Sequence, residues 1–197
     1  MQLNPYGEDV VNLAADLANR RPESAAELAD RCRAAGLALE RRVTADDLSR
    51  CQAALNAWER IVDTAGEQER ADLLNRMLAE AAAYPRLTSH PGTGWHLHYR
   101  DPEEPLGSVL FTLFAVGTAL HLAGRGMHRL RRCEVIECGR AFADTSRTGR
   151  QRYCSPRCAN RDAVRRHRAR AAVTRPVGEV VPQAVVAKQP AARQPTR

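Results

Sequence analysis

The segment Cys133-Glu134-Val135-Ile136-Glu137-Cys138-Gly139, joined by a basic insert to Tyr153-Cys154-Ser155-Pro156-Arg157-Cys158, decides how the C-terminal third of this chain folds. Its cysteines are spaced C-x4-C-x15-C-x3-C. Two close pairs separated by a hairpin-length insert are what a closed tetrahedral zinc site needs. Each pair offers two thiolates from one tight turn, and the insert brings the pairs together. Gly139 lets the backbone fold tightly behind the Cys138 sulfur. Phe142 and Tyr153 bracket a turn at Asp144-Thr145-Ser146-Arg147-Thr148-Gly149, which predicts a short hairpin there. Cys154 to Cys158 reads as a turn opening a helix, whose partly positive N-terminus favours the thiolate of Cys158. Cys133, Cys138, Cys154 and Cys158 are therefore expected to hold one structural zinc per chain, with no coordination position left open for catalysis. Chance clustering of buried thiols is the alternative. The paired spacing, the glycine and the basic helix that follows all weigh against it.

That helix is expected to run from about Cys158 to Ala171. Arg161, Arg165 and Arg168 share a face, Arg166 and Arg170 flank it, and Asn160, Val164, His167 and Ala171 form the opposite stripe, which turns His167 inward. A solvated charged face usually mixes signs, whereas Asp162 is the one acid here. Charge along the chain agrees. Residues 1–124 hold 12 Arg against 18 Asp and Glu (net −6), residues 125–170 hold 14 Arg against 4 acids (net +10), and the remainder brings the chain to +7. A zinc ion on four thiolates subtracts about two charges and leaves the segment strongly basic. This asymmetry is the footprint of a nucleic-acid module joined to an acidic domain. Lys188 is the one lysine, so arginine preference alone says little; the clustering is the informative feature. Expected DNA contacts are Arg161, Arg165, Arg166, Arg168 and Arg170 on the helix, with Arg150 and Arg152 of the insert on the backbone. Duplex DNA is favoured over single strands, whose readers need exposed aromatic platforms. Here Phe142 and Tyr153 are the available aromatics, and a core this small needs both.

From Leu130 to Arg170 the chain resembles the CGNR-type zinc finger of bacterial transcription regulators. The matching residues are Arg131-Arg132-Cys133, Cys138-Gly139, Asp144-Thr145-Ser146-Arg147, Cys154-Ser155, and Asn160-Arg161 leading into His167-Arg168-Ala169-Arg170. Ala159 stands where the family's name-giving glycine is expected, and three residues rather than four separate the last two cysteines. The helical segment before the finger resembles the N-terminal domain called ABATE, through far less specific motifs. The resemblance implies a stress-linked regulator.

Upstream, the period is helical. Gly7 to Asn19 carries an apolar stripe at Val10, Val11, Leu13, Ala14 and Leu17. Ser24 and Glu27 form a capping box for a helix stopped by Gly36, and Thr44 with Asp47 caps the next, which ends before Gly66. A fourth helix is expected from about Glu67 to Tyr84, ahead of Pro85. Residues 86–100 alternate and predict a β-hairpin, with Trp95, Leu97 and Tyr99 on one face and His96 and His98 on the other. His90, His96 and His98 are candidates for a second metal, against the plainer reading of a solvated strand face. Leu106 to Ala123 is an uncharged apolar run at the lower length limit for a membrane span. Its Ser, Thr, His and Gly content favours a buried central helix and no membrane. Cys32 and Cys51 fall on apolar stripes and read as core residues.

The expected fold is mostly α. A helical domain (1–126) with one small β-hairpin serves sensing or dimerisation. A treble-clef-like zinc finger (127–171), with a core of its own, follows, and then a disordered tail (172–197). The opening Met1-Gln2-Leu3-Asn4 lacks a secretory pattern, so a reducing, cytoplasmic setting is expected. Asn12, Trp95 and His121 are the candidate polar groups of a pocket for a small-molecule effector. No phosphate loop, nucleophile elbow or dinucleotide fingerprint appears, so no enzyme is expected. The functional expectation is a DNA-binding transcription regulator, and a homodimer would suit it. The alternatives are a zinc-finger module that docks an acidic protein and an enzyme that uses the helical domain.

Overall fold

The computed structural model describes residues 7–39, 41–81, 84–90, 94–99 and 103–173. The expected disordered tail falls almost wholly outside them. Among these residues the chain is mostly helical, with α1 (Glu8–Asn19), α2 (Ala25–Ala34), α3 (Ala45–Asp63), α4 (Glu67–Glu80), α5 (Leu106–Arg125) and α6 (Pro156–Val173). Two antiparallel hairpins complete it: β1 (Arg86–His90) with β2 (Gly94–His98), and β3 (Leu130–Arg132) with β4 (Ala141–Ala143). Helix α4 stops four residues before the expected Tyr84.

The apolar run builds the centre. Helix α5 packs against α1, α3 and α4, burying Leu110, Phe114 and Leu122 beside Leu17, Leu28, Leu55 and Trp58. It is long and apolar enough to cross a membrane, with a mean hydropathy of 1.8, but three helices cover it as they would a core helix. The indole N–H of Trp58 donates to Thr118 Oγ1 at 2.9 Å, so the largest buried side chain also satisfies its polar atom. Close approach of α1 and α5 depends on two glycines. A Cβ at Gly7 would lie 2.2 Å from the Gly117 carbonyl oxygen, and one at Gly117 would lie 2.7 Å from Val10. Cys32 and Cys51 are fully buried, and burial pushes their thiols up to about 11 and 12 respectively, which fits inert core residues.

Helix ends are tied by side chains. Ser24 Oγ accepts from Glu27 N–H at 3.1 Å, while the Glu27 carboxylate reaches back to Glu23 N–H at 3.0 Å. Thr44 and Asp47 close a full capping box on α3. Asp47 does more than cap. Its Oδ2 accepts from Thr44 N–H at 2.9 Å and its Oδ1 accepts from Gly107 N–H at 2.9 Å, joining the starts of α3 and α5. Arg70, also buried, donates to the carbonyls of Thr64 and Met127, fastening the end of α3 to the turn after α5.

The β3–β4 hairpin, which follows residue 126, packs in this core. Leu130, Ala141 and Ala143 are buried with the helical residues. The Asn19 amide pairs with Ala141 as a neighbouring strand would, with both bonds at 2.8 Å. Arg132 bridges to Asp63 (2.7 Å) and Glu59 (3.1 Å) on α3. Two three-residue strands cannot bury an apolar face on each other, so they use the face that α1 and α3 offer. The chain divides into one unit ending at Asp162 and a second beginning at Ala163, whose described part is the rest of α6.

Asp47 provides a test of the helical core. Burial alone would raise its pKa; the hydrogen bonds from Gly107 and Thr44, with Arg50 nearby, outweigh burial and hold it below the usual carboxylate range. A depressed carboxylate contributes stability above its unfolded pKa of about 3.9 and loses it as pH falls through the folded value. Asp47→Asn should cost about 1–3 kcal/mol at pH 7 in denaturant melts, with the deficit shrinking at pH 3. A deficit independent of pH would show that the charge of Asp47 is not what joins the two helices.

Candidate metal centre

The hairpin sets the first cysteine pair. Cys133 follows β3 directly, and its N–H donates to Arg140 C=O at 2.8 Å, extending the pairing into the knuckle. Cys138 N–H closes the knuckle on Val135 C=O at 2.8 Å, and Gly139 then takes the left-handed conformation (φ +59°) that the turn requires. The hairpin therefore spans the cysteine knuckle. The expected hairpin around Asp144–Gly149 is absent from the described residues, and that stretch is a loop organised by one carboxylate. Fully buried Asp144 accepts from Ser146 N–H (2.9 Å) and Gln151 N–H (2.8 Å), and Arg129 lies 3.9 Å away. Arg129 also donates to the carbonyls of Arg125, Asp144 and Ser146. Burial would raise the Asp144 pKa, but these hydrogen bonds hold it low, so the loop is clamped by an ionised group. An Asp followed two residues on by Ser is a turn signal in sequence; its pairing with Arg129 is not.

The second pair comes from the start of α6. Cys154 precedes the helix and Cys158 sits in its first turn, with Cys158 N–H donating to Ser155 Oγ at 3.3 Å. The Tyr153 hydroxyl donates to the carboxylate of buried Asp162 at 2.6 Å, pinning this turn to α6. The sequence reading saw Asp162 as a lone acid among arginines; the structure gives it a holding role. Ala159, the departure from the family pattern, lies inside α6, and no residue other than glycine has a positive φ among the described residues. A glycine is not needed there.

All four sulfurs lie within 4.8 Å of one another, the closest pairs at 3.6, 3.7 and 3.8 Å. A zinc ion with sulfurs at about 2.3 Å in a tetrahedron spaces them at about 3.8 Å. The separations are far beyond the roughly 2.05 Å of a disulfide. The four cysteines thus fit one structural zinc. As thiols they hold protons unevenly. Burial first, then the crowding of sulfurs, pushes Cys154 up to about 12, while the Ser155 side chain brings Cys158 down to about 7.

The remaining candidate residues distribute as follows. Arg150, Arg161, Arg165, Arg166, Arg168 and Arg170 are exposed. Arg152 is engaged: its Nε donates to Glu134 at 2.7 Å and its guanidinium lies 5.8 Å over the Tyr153 ring. It braces the knuckle and holds the Glu134 carboxyl below its usual range. His167 is exposed, against the expectation of an inward face, because residues 163–171 have no buried member. Among the described residues the three candidate pocket groups are not brought together. Asn12 faces solvent and Trp95 is 74% exposed, since no helix packs extensively on the β1–β2 hairpin. His121 alone is enclosed. Neither of its ring nitrogens makes a hydrogen bond of ordinary geometry, and burial pushes its pKa down. The side chains of His90 and His96 lie outside the description, and the four cysteines form the metal-sized cluster among the described residues.

Fold and site together define a helical protein that carries a structural four-cysteine zinc finger. Residues 129–171 match the family model of the CGNR zinc finger, the segment that holds all four ligands. No curated protein matches the chain significantly.

Elemental analysis should give one zinc per chain, and none for Cys154→Ser. Because β3 and β4 lie in the helical core, chelation should also lower the melting temperature read at buried Trp58. Equal zinc in wild type and variant, or an unmoved Trp58 melt, would contradict the assignment or the shared core respectively. Zinc must displace thiol protons, so its dissociation constant should rise steadily between pH 8 and pH 6, as a competition titration with a chromogenic chelator would show.

Proposed function

We propose that this chain is a bacterial DNA-binding transcription regulator working in the cytoplasm, with the zinc finger presenting α6 to duplex DNA. The observation that carries the reading is the run 163–171. Every residue in it is exposed, it contains Arg165, Arg166, Arg168 and Arg170, and it contains no acid. A helix of that sign is matched to the phosphate backbone, where each neutralised phosphate releases counterions. Arg150 adds a contact from the Asp144 loop. Arg152, exposed but paired with Glu134, would meet the backbone only by sharing its charge with that acid. Single strands fit poorly: Phe142 is buried and the Tyr153 hydroxyl is bound to Asp162, so neither ring offers a stacking platform. The zinc acts as a structural ion, and the chain is read as a non-enzyme. One finger buries about 600–1,000 Å² on DNA, which is little for selective binding. The helical unit is therefore assigned the supporting role, as a dimerising or sensing domain of the ABATE kind.

Anisotropy titrations of zinc-loaded protein on labelled duplex over a range of salt test this. Arg165→Ala with Arg168→Ala should weaken binding and flatten the salt slope by about 1.8 if both side chains meet phosphates. Identical binding by the double variant at every salt concentration would remove α6 as the reading element. Salt-resistant binding to an acidic protein, with none to DNA, would favour the docking alternative.

A further inference from the structure

We infer that Arg161 is a positioning residue of the zinc centre and not a DNA contact. It lies three residues after Cys158 on α6, and its Nη2 is 3.9 Å from the Cys158 sulfur. That sulfur is its polar partner among the described residues. Its neighbour Asp162 accepts from the Tyr153 hydroxyl at 2.6 Å.

The chemistry follows from the donor set. Four thiolates around a divalent zinc leave two net negative charges concentrated on sulfur. A guanidinium N–H directed at one sulfur withdraws charge from it and is itself held in place. Cys158 is the ligand that gains most from this, because its sulfur is the one the exposed Arg161 guanidinium reaches. With the cation removed, the Cys158 thiolate becomes more basic and more nucleophilic. Protons and electrophiles then attack it faster, and the zinc leaves with it. Arginine at this position thus protects the metal. The inference concerns the zinc centre alone and does not rest on the DNA reading.

The test is zinc release from the full-length, zinc-loaded protein, followed with a chromogenic chelator during challenge with N-ethylmaleimide at pH 7.5. Outer partners of metal ligands typically alter affinity by 10–100-fold; for this exposed arginine the lower end applies, so Arg161→Gln should release zinc about 10-fold faster. Arg161→Lys, which keeps a cation with N–H donors, should restore most of the protection. Arg168→Gln should release zinc at the wild-type rate. Circular dichroism of α6 checks that the three variants fold alike. In duplex titrations Arg161→Gln should keep the wild-type salt slope when zinc is saturating. Release from Arg161→Gln at the wild-type rate overturns the proposal. A rate for Arg161→Lys as fast as for Arg161→Gln overturns it too, since the charge would then be irrelevant. Failure of the protein to bind DNA at all leaves the release measurement intact, so the two readings fail separately.

Discussion

Between β3 and the first turn of α6 the chain has too little apolar side chain to hold itself. Its own small cluster is Cys133, Val135 and Cys158, with Cys138, Tyr153 and Cys154 packed around it. Three of four sulfurs in that cluster are no more than 3.8 Å from a neighbour, an arrangement that repels once the thiols ionise. A divalent ion converts the repulsion into the strongest bonds in the segment. Helix α6 begins between the third and fourth ligands, so its first turn is part of this centre.

The second support comes from below. Leu130, Ala141 and Ala143 complete the core built by α1, α3 and α5, and Asn19 with Arg132 fixes the register of contact. The finger hairpin is thereby shared: one end carries ligands, the other carries core residues. Metal and bundle are then energetically linked, since loosening the knuckle pulls on strands that close the helical core. A finger with a separate core would lack that link. The Asp144–Arg129 clamp has the same character, tying the insert between the cysteine pairs to the end of α5 through Arg125 C=O.

Arginine is found in three kinds of surroundings in this molecule. Arg31, Arg70 and Arg129 are buried and spend their donors on helix-end and loop carbonyls or on a carboxylate. Arg132, half-buried, and Arg152, exposed, are paired with acids that orient the hairpin and knuckle. The arginines of α6 beyond Ala163 are exposed. A planar guanidinium with five donors can meet several carbonyls at once, which a lysine cannot, so a chain with a single lysine can still satisfy its helix ends.

The sequence by itself determined what depends on local spacing. Cysteine pairs at fixed offsets, the Thr44–Asp47 cap, the Gly36 stop and the apolar run of α5 are each legible because their physics acts within a few residues or along one helix. The zinc ligands belong to this class, and so do the helices in their order. Only the tertiary structure decided what depends on which faces meet. It placed the hairpin across the knuckle and not across Asp144–Gly149, and joined it to the bundle. It left Asn12 and Trp95 in solvent and turned His167 outward. It gave Arg152 to Glu134, Arg161 to a sulfur and Asp162 to Tyr153. The joining of the hairpin to the bundle and the pairing of Arg152 with Glu134 link residues far apart in sequence, and Arg161 and Asp162, though near their partners, are of types that fit several, so the choice rests on which faces meet.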